Sequence, residues 1–258
     1  MTRKALKRER ATARRKPIRP KGTRTPKRNR GRPAKEDGTE LMRDRILNAA
    51  EELFAEHGFD GVTVRQVTRR ANVDVALAHY YFDTKRGLFD AVFLRRAAII
   101  NEERIKAIDE YQANPGPGGA TIEGFIQAFL DPVMERWATG GKGWKDYLAI
   151  VAQVNNTPKW GGETMARYFD PVIHRLIDGL RSIMPGARDI DLYWSYQFLS
   201  GALTLTFAET GRIDRLSSGL CRSSDEAAVR SRMAPYIAAG FRCVCLAKNR
   251  KPPGGKQP

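Results

Sequence analysis

A chain of 258 residues that is 41% apolar can bury the core of one large domain or two modest ones. Its wholly apolar runs are only a few residues long, as at Ala97 to Ile100, which excludes a membrane-spanning helix of about 20 residues. The basic N-terminus is not followed by the apolar stretch of a secretory signal, so a cytoplasmic protein with no membrane partner is expected.

Net charge is +16, and 16 of the 45 Lys and Arg lie in residues 1–38 against three acids, a balance of +13 that leaves +3 for the rest. Residues 1–38 are therefore read as a disordered basic arm: they repel themselves, hold Pro17, Pro20, Pro26 and Pro33, and offer almost no large apolar side chain to bury. Charge so concentrated points to a nucleic-acid partner, with a purely solubilising tail as the alternative. Within the arm, Arg30-Gly31-Arg32-Pro33 resembles the core of an AT-hook. A narrow A·T minor groove concentrates negative potential and glycine permits close approach, which makes Arg30 and Arg32 candidate minor-groove residues.

From residue 39 onward the pattern is helical. Ile46, Ala50, Leu53 and Phe54 fall on one helix face, and Gly58 supplies the stop. Thr63 and Gln66 have capping-box spacing, with Val62 and Val67 at the staple positions of a second helix ending near Ala71. Asn72 tolerates a left-handed turn, and Asp74 caps a third helix, Val75 to Tyr81. Thr84 caps a fourth, with Leu88, Phe89, Val92 and Phe93 inside, which reaches Tyr111 before the Asn114–Gly119 loop.

Further helices are expected at 122–137 (where Pro132 kinks or restarts the helix), 144–154, 163–183, 190–209 and 225–247, where Pro235 threatens a kink. No alternating strand pattern or repeat is present, so the fold class is all-α: an N-terminal three-helix helix-turn-helix domain at 39–90, a larger helical ligand-binding and dimerisation domain at 91–247, and a flexible tail at 248–258. Cys221, Cys243 and Cys245 are odd in number and lack CxxC spacing, so neither a disulfide framework nor a metal site is expected. His57, His79 and His174 are scattered, and no HExxH, GxSxG, Walker or GxGxxG motif occurs; no enzymatic activity and no cofactor are expected.

The segment ILNAAEELFAEHGFDGVTVRQVTRRANVDVALAHYYFDTKRGLFDAVF, Ile46 to Phe93, resembles the N-terminal domain of TetR-family regulators. Leu192-Tyr193-Trp194, Ser200-Gly201-Ala202 and PYIAAG at Pro235 to Gly240 make the remainder similar to the ligand domain of PsrA-like members. Asn72 stands where the family usually has a turn glycine, and Asp83 where Pro or Gly is common. The resemblance implies a homodimer on a double-stranded DNA operator, acting by default as a repressor relieved by a small hydrophobic effector such as a fatty acid or acyl-CoA, with activation as the alternative output. It places Val75, Ala76 and Leu77 toward bases, and Thr63, His79, Tyr80 and Lys85 on the DNA backbone. Arg65, Arg69 and Arg70 read either as phosphate contacts or as a solvated helix face. Tyr81 and Phe82 read as core anchors.

For the effector, Phe129, Trp144, Tyr147, Trp160, Phe169, Trp194 and Phe198 are the candidate lining, with Asn155 and His174 as polar handles; the same aromatics also suit a plain dimeric core. The dimer is expected through the last two helices, with Ser200, Gly201 and Ala202 allowing close approach beside Phe198, Leu205, Phe207, Ile237 and Phe241. The arm alone would also suit an architectural DNA-binding protein without a ligand.

Thr39 to Asp90 holds seven bases against nine acids, so the arm carries most of the expected phosphate neutralisation. With about four contacts per arm and roughly 0.9 per contact, two arms steepen the salt dependence of DNA affinity by about seven log units per log unit of salt. Deleting residues 2–35 should flatten that slope in fluorescence-anisotropy titrations while half-site preference persists. Replacing only Arg30 and Arg32 by Ala should remove preference for flanking A·T pairs. An unchanged slope for the deletion would favour the solubilising tail.

Overall fold

The computed structural model describes residues 35–246, with side chains from Glu40 onward. Arg30, Arg32 and the rest of the arm through residue 34, like the expected tail at 248–258, lie outside the described residues. The described chain is all-α, with helices α1 (Lys35–His57), α2 (Val64–Ala71), α3 (Val75–Phe82), α4 (Lys85–Ala113), α5 (Ile122–Thr139), α6 (Gly141–Asn155), α7 (Gly161–Ile183), α8 (Asp189–Phe207), α9 (Arg212–Leu216) and α10 (Glu226–Cys245). None of them is long and apolar enough to cross a membrane.

Local chemistry sets the boundaries in the first half. Gly58 adopts φ 71° and donates its N–H to the Phe54 carbonyl at 2.9 Å, closing α1 where a side chain would be strained. Thr63, Asp74 and Thr84 each cap the following helix with a side-chain oxygen. Val62 and Val67, the staple pair, are both buried.

Two features differ from expectation. Helix α1 begins at Lys35 rather than 39: residues 35–39 hold no proline, and Gly38 costs only about 1 kcal/mol, so a helix nucleated by its buried face propagates upstream. Helix α4 runs unbroken across 90/91, as the expected fourth helix to Tyr111 does. The short α9 precedes α10 and was not anticipated, having no buried residue to give it a periodic signature. Pro132, Pro171 and Pro235 sit inside α5, α7 and α10 without ending them. At Pro132 the helix is held on both sides by the buried residues Phe129, Leu130, Val133 and Met134.

Helix α4 is the central element, packed against α5 and α7; α10 lies across α5 and α8, and α1 rests on α6. The N-terminal three helices are thus fastened to the larger bundle rather than strung from it. Glu51 of α1, 3% exposed, accepts from Arg95 Nη2 at 2.9 Å and from Arg96 Nε and Nη2 at 2.6 and 2.7 Å, both on α4. Gln153 of α6 donates to the Ala55 carbonyl at 2.7 Å, filling an orphan acceptor of the last turn of α1.

A carboxylate taken out of water between two guanidiniums cannot be removed without leaving uncompensated charge. Glu51→Ala should lower stability by about 3 kcal/mol in urea denaturation. An unchanged midpoint would remove this ion cluster as a determinant of how the two parts dock.

Candidate nucleic-acid interface and internal cavity

Helices α2 and α3 are joined by Asn72, left-handed at φ 52°, ψ 56°, which receives the turn that glycine would otherwise supply. Arg45 of α1 donates to the Ala71 carbonyl at 2.6 Å, capping the end of α2 from outside and fixing the angle of the pair. Thr63 accepts from the Gln66 N–H at 3.3 Å, while Gln66 Oε1 accepts from the Thr63 N–H and hydroxyl, both at 2.7 Å. With that hydroxyl engaged, what Thr63 offers a phosphate is the exposed first turn of α2.

On α3, Ala78 and Phe82 are buried and Leu77 and Tyr81 pack against the core. Leu77 therefore does not point outward as expected: it lies four residues before Tyr81, on the flank of the buried stripe. Val75 is half-buried, and Ala76, His79 and Tyr80 form the outward face, with Tyr80 80% exposed. His79 Nδ1 donates to the Asp83 carbonyl at 2.9 Å, which leaves Nε2 pointing away. On α2, Arg65 and Arg69 are exposed and their side chains make no hydrogen bond or ion pair among the described residues, whereas Arg70 is taken by Glu52 at 2.9 and 2.6 Å. The Arg70 guanidinium, with Lys142 second, holds the Glu52 carboxyl below its usual range. Lys85 Nζ lies 4.4 Å from the Phe59 ring centroid at the start of α4.

The junction between α3 and α4 is tight. Asp83 adopts φ 59°, ψ −62°, and the Thr84 N–H reaches the Phe82 carbonyl at 2.6 Å, a positive-φ γ-turn that is strained for any residue with a Cβ. A Cβ on Gly87 would stand 2.3 Å from the Phe82 oxygen.

Inside the bundle, a cavity of about 40 Å³ is lined by Ile100 and Arg104 of α4, Phe129 and Val133 of α5, Tyr147, Leu148, Val151 and Asn155 of α6, residues of α7 including Phe169 and Ile173, and Tyr196 to Phe207 on α8. Its wall is mostly apolar. Asn155 Nδ2 donates to Thr204 Oγ1 at 2.8 Å and Ser200 Oγ at 3.3 Å where the α6–α8 seam meets solvent. Burial pushes the Tyr147 hydroxyl far above the usual phenol range and raises Tyr196 as well.

Residues 46–92 match a family model described as bacterial regulatory proteins, tetR family, and residues 127–240 match one described as tetracyclin repressor-like, C-terminal domain. The chain belongs to the TetR family. Regulators of this family are transcription factors and not enzymes. Among similar proteins, IcaR of Staphylococcus aureus (strain Newman), the negative transcriptional regulator of the biofilm operon icaADBC, is 25% identical over 126 residues, 46% of this chain and 56% of IcaR. The match thus spans little more than half the length of that relative. HlyIIR, a hemolysin II transcriptional regulator, superposes with TM-score 0.52 at 17% identity over 78% of this chain and 98% of HlyIIR. FadR of Bacillus subtilis, solved in complex with stearoyl-CoA, superposes with TM-score 0.56 at 13% identity over 76% and 98%. At these identities the structural likeness is one of fold.

Of the effector residues expected from the sequence of this TetR-family protein, the structure gathers Phe129, Tyr147, Asn155 and Phe169 at the cavity. It sends the other five elsewhere. Trp144 carries the guanidiniums of Arg96 and Arg136 over its ring, each 5.0 Å from the centroid. Trp160 packs edge-on to Phe59 and Phe89, both at 5.3 Å, beneath Arg86 at 4.6 Å; it joins the helix-turn-helix part to the bundle. His174 is exposed. Trp194 and Phe198 stack on each other on the outside of α8, 55% and 61% exposed. Helical spacing identifies an aromatic stripe but not which neighbour it meets.

The residues missed were Arg104, Tyr196, Ser200 and Thr204. Arg104 had a signal: it is four residues from each of Ile100 and Ile108, both buried, so it sits on the inward stripe of α4.

Asp83→Gly should raise stability by about 1 kcal/mol, the relief of strain less the entropy glycine adds to the unfolded chain. Gly87→Ala should lower it by about 1–3 kcal/mol, because the clash is with backbone. Thermal denaturation checks both, and a Gly87→Ala protein as stable as the parent would show that the junction relaxes freely.

Proposed function

We propose that the protein is a cytoplasmic, homodimeric, operator-binding repressor, relieved by a small hydrophobic effector of the fatty-acid or acyl-CoA kind, with an effector domain of the PsrA-like type. The observation that carries this reading is the double use of α4. Its N-terminus abuts the end of α3 at Gly87 and Phe82, and two turns or more further on the same helix presents Ile100 and Arg104 to the cavity. A ligand that widens the cavity displaces α4, and α3 moves with it, so occupancy biases a population of DNA-competent and incompetent dimers. Repression as the default output is supported by IcaR, named a negative regulator, and the effector class by FadR, solved with stearoyl-CoA.

On DNA, Ala76, His79 and Tyr80 enter the major groove, Arg65, Arg69 and the first turn of α2 meet phosphates, and the arm adds charge with Arg30 and Arg32 in the minor groove. Two such units about 34 Å apart read two half-sites. The dimer uses the outer face of α8, where Trp194, Phe198 and Leu205 are 55%, 61% and 64% exposed and Gly201 lies between the last two. Tyr236 adds to it from α10, 75% exposed. An apolar row of this kind is ordinarily covered. Phe207, Ile237 and Phe241, expected at this interface, are instead buried within the protomer, because each shares a helix face with core neighbours.

Phe198→Glu combined with Leu205→Glu should give a monomer by light scattering and weaken binding to a selected operator by at least about 100-fold in anisotropy titrations, since the second half-site contact is lost. Extraction of the purified parent should release an apolar small molecule detectable by mass spectrometry. A dimeric double variant, or equal affinity for operator and scrambled DNA in the parent, would overturn the corresponding part of the reading.

A further inference from the structure

Arg104 stands apart from the other arginines of α4. Arg95 and Arg96 reach Glu51 and Arg86 reaches Asp90, but Arg104, 6% exposed, has no carboxylate partner among the described residues. Of its five N–H donors only Nε is used, on the Phe129 carbonyl. The guanidinium lies over the Phe129 ring, 4.2 Å from its centroid. The ionisable groups that favour its charge are the hydroxyls of Tyr196 and Tyr147, and burial pulls its pKa down to about 10, which still leaves it cationic at neutral pH. Tyr147 lines the same cavity, and its hydroxyl is buried without a hydrogen-bond partner among the described residues.

An unneutralised cation and an orphan hydroxyl in a mostly apolar enclosure are each destabilising, and both are relieved by one anion. We propose that the cavity takes a free carboxylic acid with an apolar body, its carboxylate seated on the Arg104 guanidinium and the Tyr147 hydroxyl. This rests on the effector reading above and names the chemical class. A planar guanidinium matches a carboxylate with two parallel hydrogen bonds. One cation suits one negative charge, whereas a phosphate dianion would bring a second with nothing to meet it. The acyl end of a CoA thioester is neutral and would leave Arg104 as it is. The hydrocarbon would lie against Ile100, Val133, Leu148, Phe169 and Ile173.

The cavity's volume of about 40 Å³ holds water but not a long hydrocarbon chain, so the acid enters by spreading the walls. Because Arg104 is bonded to Phe129, the spreading loads the α4–α5 contact directly. Asn155, Ser200 and Thr204, hydrogen-bonded across the α6–α8 seam, form the gate.

The test compares dodecanoate, 1-dodecanol and dodecanoyl-CoA on the full chain at pH 7, by calorimetry and thermal shift. The parent should bind dodecanoate about 10–100-fold more tightly than dodecanol, the range of a charged hydrogen-bonded contact. Arg104→Met, which removes a buried charge and should melt no lower than the parent, should bind the two alike. Arg104→Lys, which keeps the charge but not the fork, should retain part of the preference, and Tyr147→Phe should lose part of it. Equal binding of acid and alcohol by the parent, an acid preference that survives Arg104→Met, or binding of dodecanoyl-CoA alone would overturn the carboxylate site while leaving a hydrophobic effector in place. Binding of none of the three probes would overturn the effector reading itself and this inference with it.

Discussion

Two arginines on α4 converge on one buried carboxylate of α1, and the rest of the architecture follows from that cluster. Glu51 accepts from Arg95 and Arg96, and Arg96 in turn lies over Trp144, as does Arg136. Arg136 is paired with Glu103 back on α4. Helices α1, α4, α5 and α6 therefore share a chain of charge and aromatic contacts. Pairing in a low-dielectric setting is stiff in one respect: a charge displaced from its partner is strongly penalised, so the elements tend to move together rather than separately. A helix-turn-helix unit fastened in this way takes its orientation from the bundle.

The aromatic contacts around Trp160 act alongside it. Trp160 sits in the link between α6 and α7, against Phe59 from the loop after α1 and Phe89 from α4, and Arg86 spans from Asp90 to Thr164 of α7. Such edge-to-face packing has specific geometry, so the loop after α1 is positioned by the larger domain as well as by its own glycine. Two fastenings built from different side chains leave α4 as the common member. The strained γ-turn at Asp83 and the backbone approach at Gly87 then tie its first turn to the end of α3 with little room for slack. Strain of this kind persists only where the surroundings over-determine the backbone.

Charge is distributed over this frame according to task. Most described cations near the N-terminal helices are consumed internally: Arg45 on the end of α2, Arg70 on Glu52, Arg86 on Asp90, Arg95 and Arg96 on Glu51. Arg65 and Arg69 remain facing solvent, which explains how a segment with an acidic excess can still present a cationic edge. Arg104 is the inverse case, a cation held inside without an acid. Net charge counts both alike, although one is available to a polyanion and the other only to something that enters the cavity.

The helix-turn-helix was legible residue by residue because its determinants are local. A Thr or Asp oxygen reaches an N–H two or three positions ahead, and Asn72 and Gly58 supply left-handed backbone where the chain must turn, so Thr63, Asp74, Thr84 and the turn residues could be read without knowing any neighbour in space. The all-α class followed from periodicity on the same terms. What tertiary structure alone decided was which side of each helix met which partner. It turned Leu77 toward the core and put Trp144 and Trp160 into the joints between the two parts. It left Trp194 and Phe198 outside on α8 and enclosed Arg104 among apolar walls. A cap is defined by bonds a few residues apart, whereas a cavity is defined by side chains from five helices, and the same sequence stripe serves as core, joint or interface according to the helix that happens to lie against it.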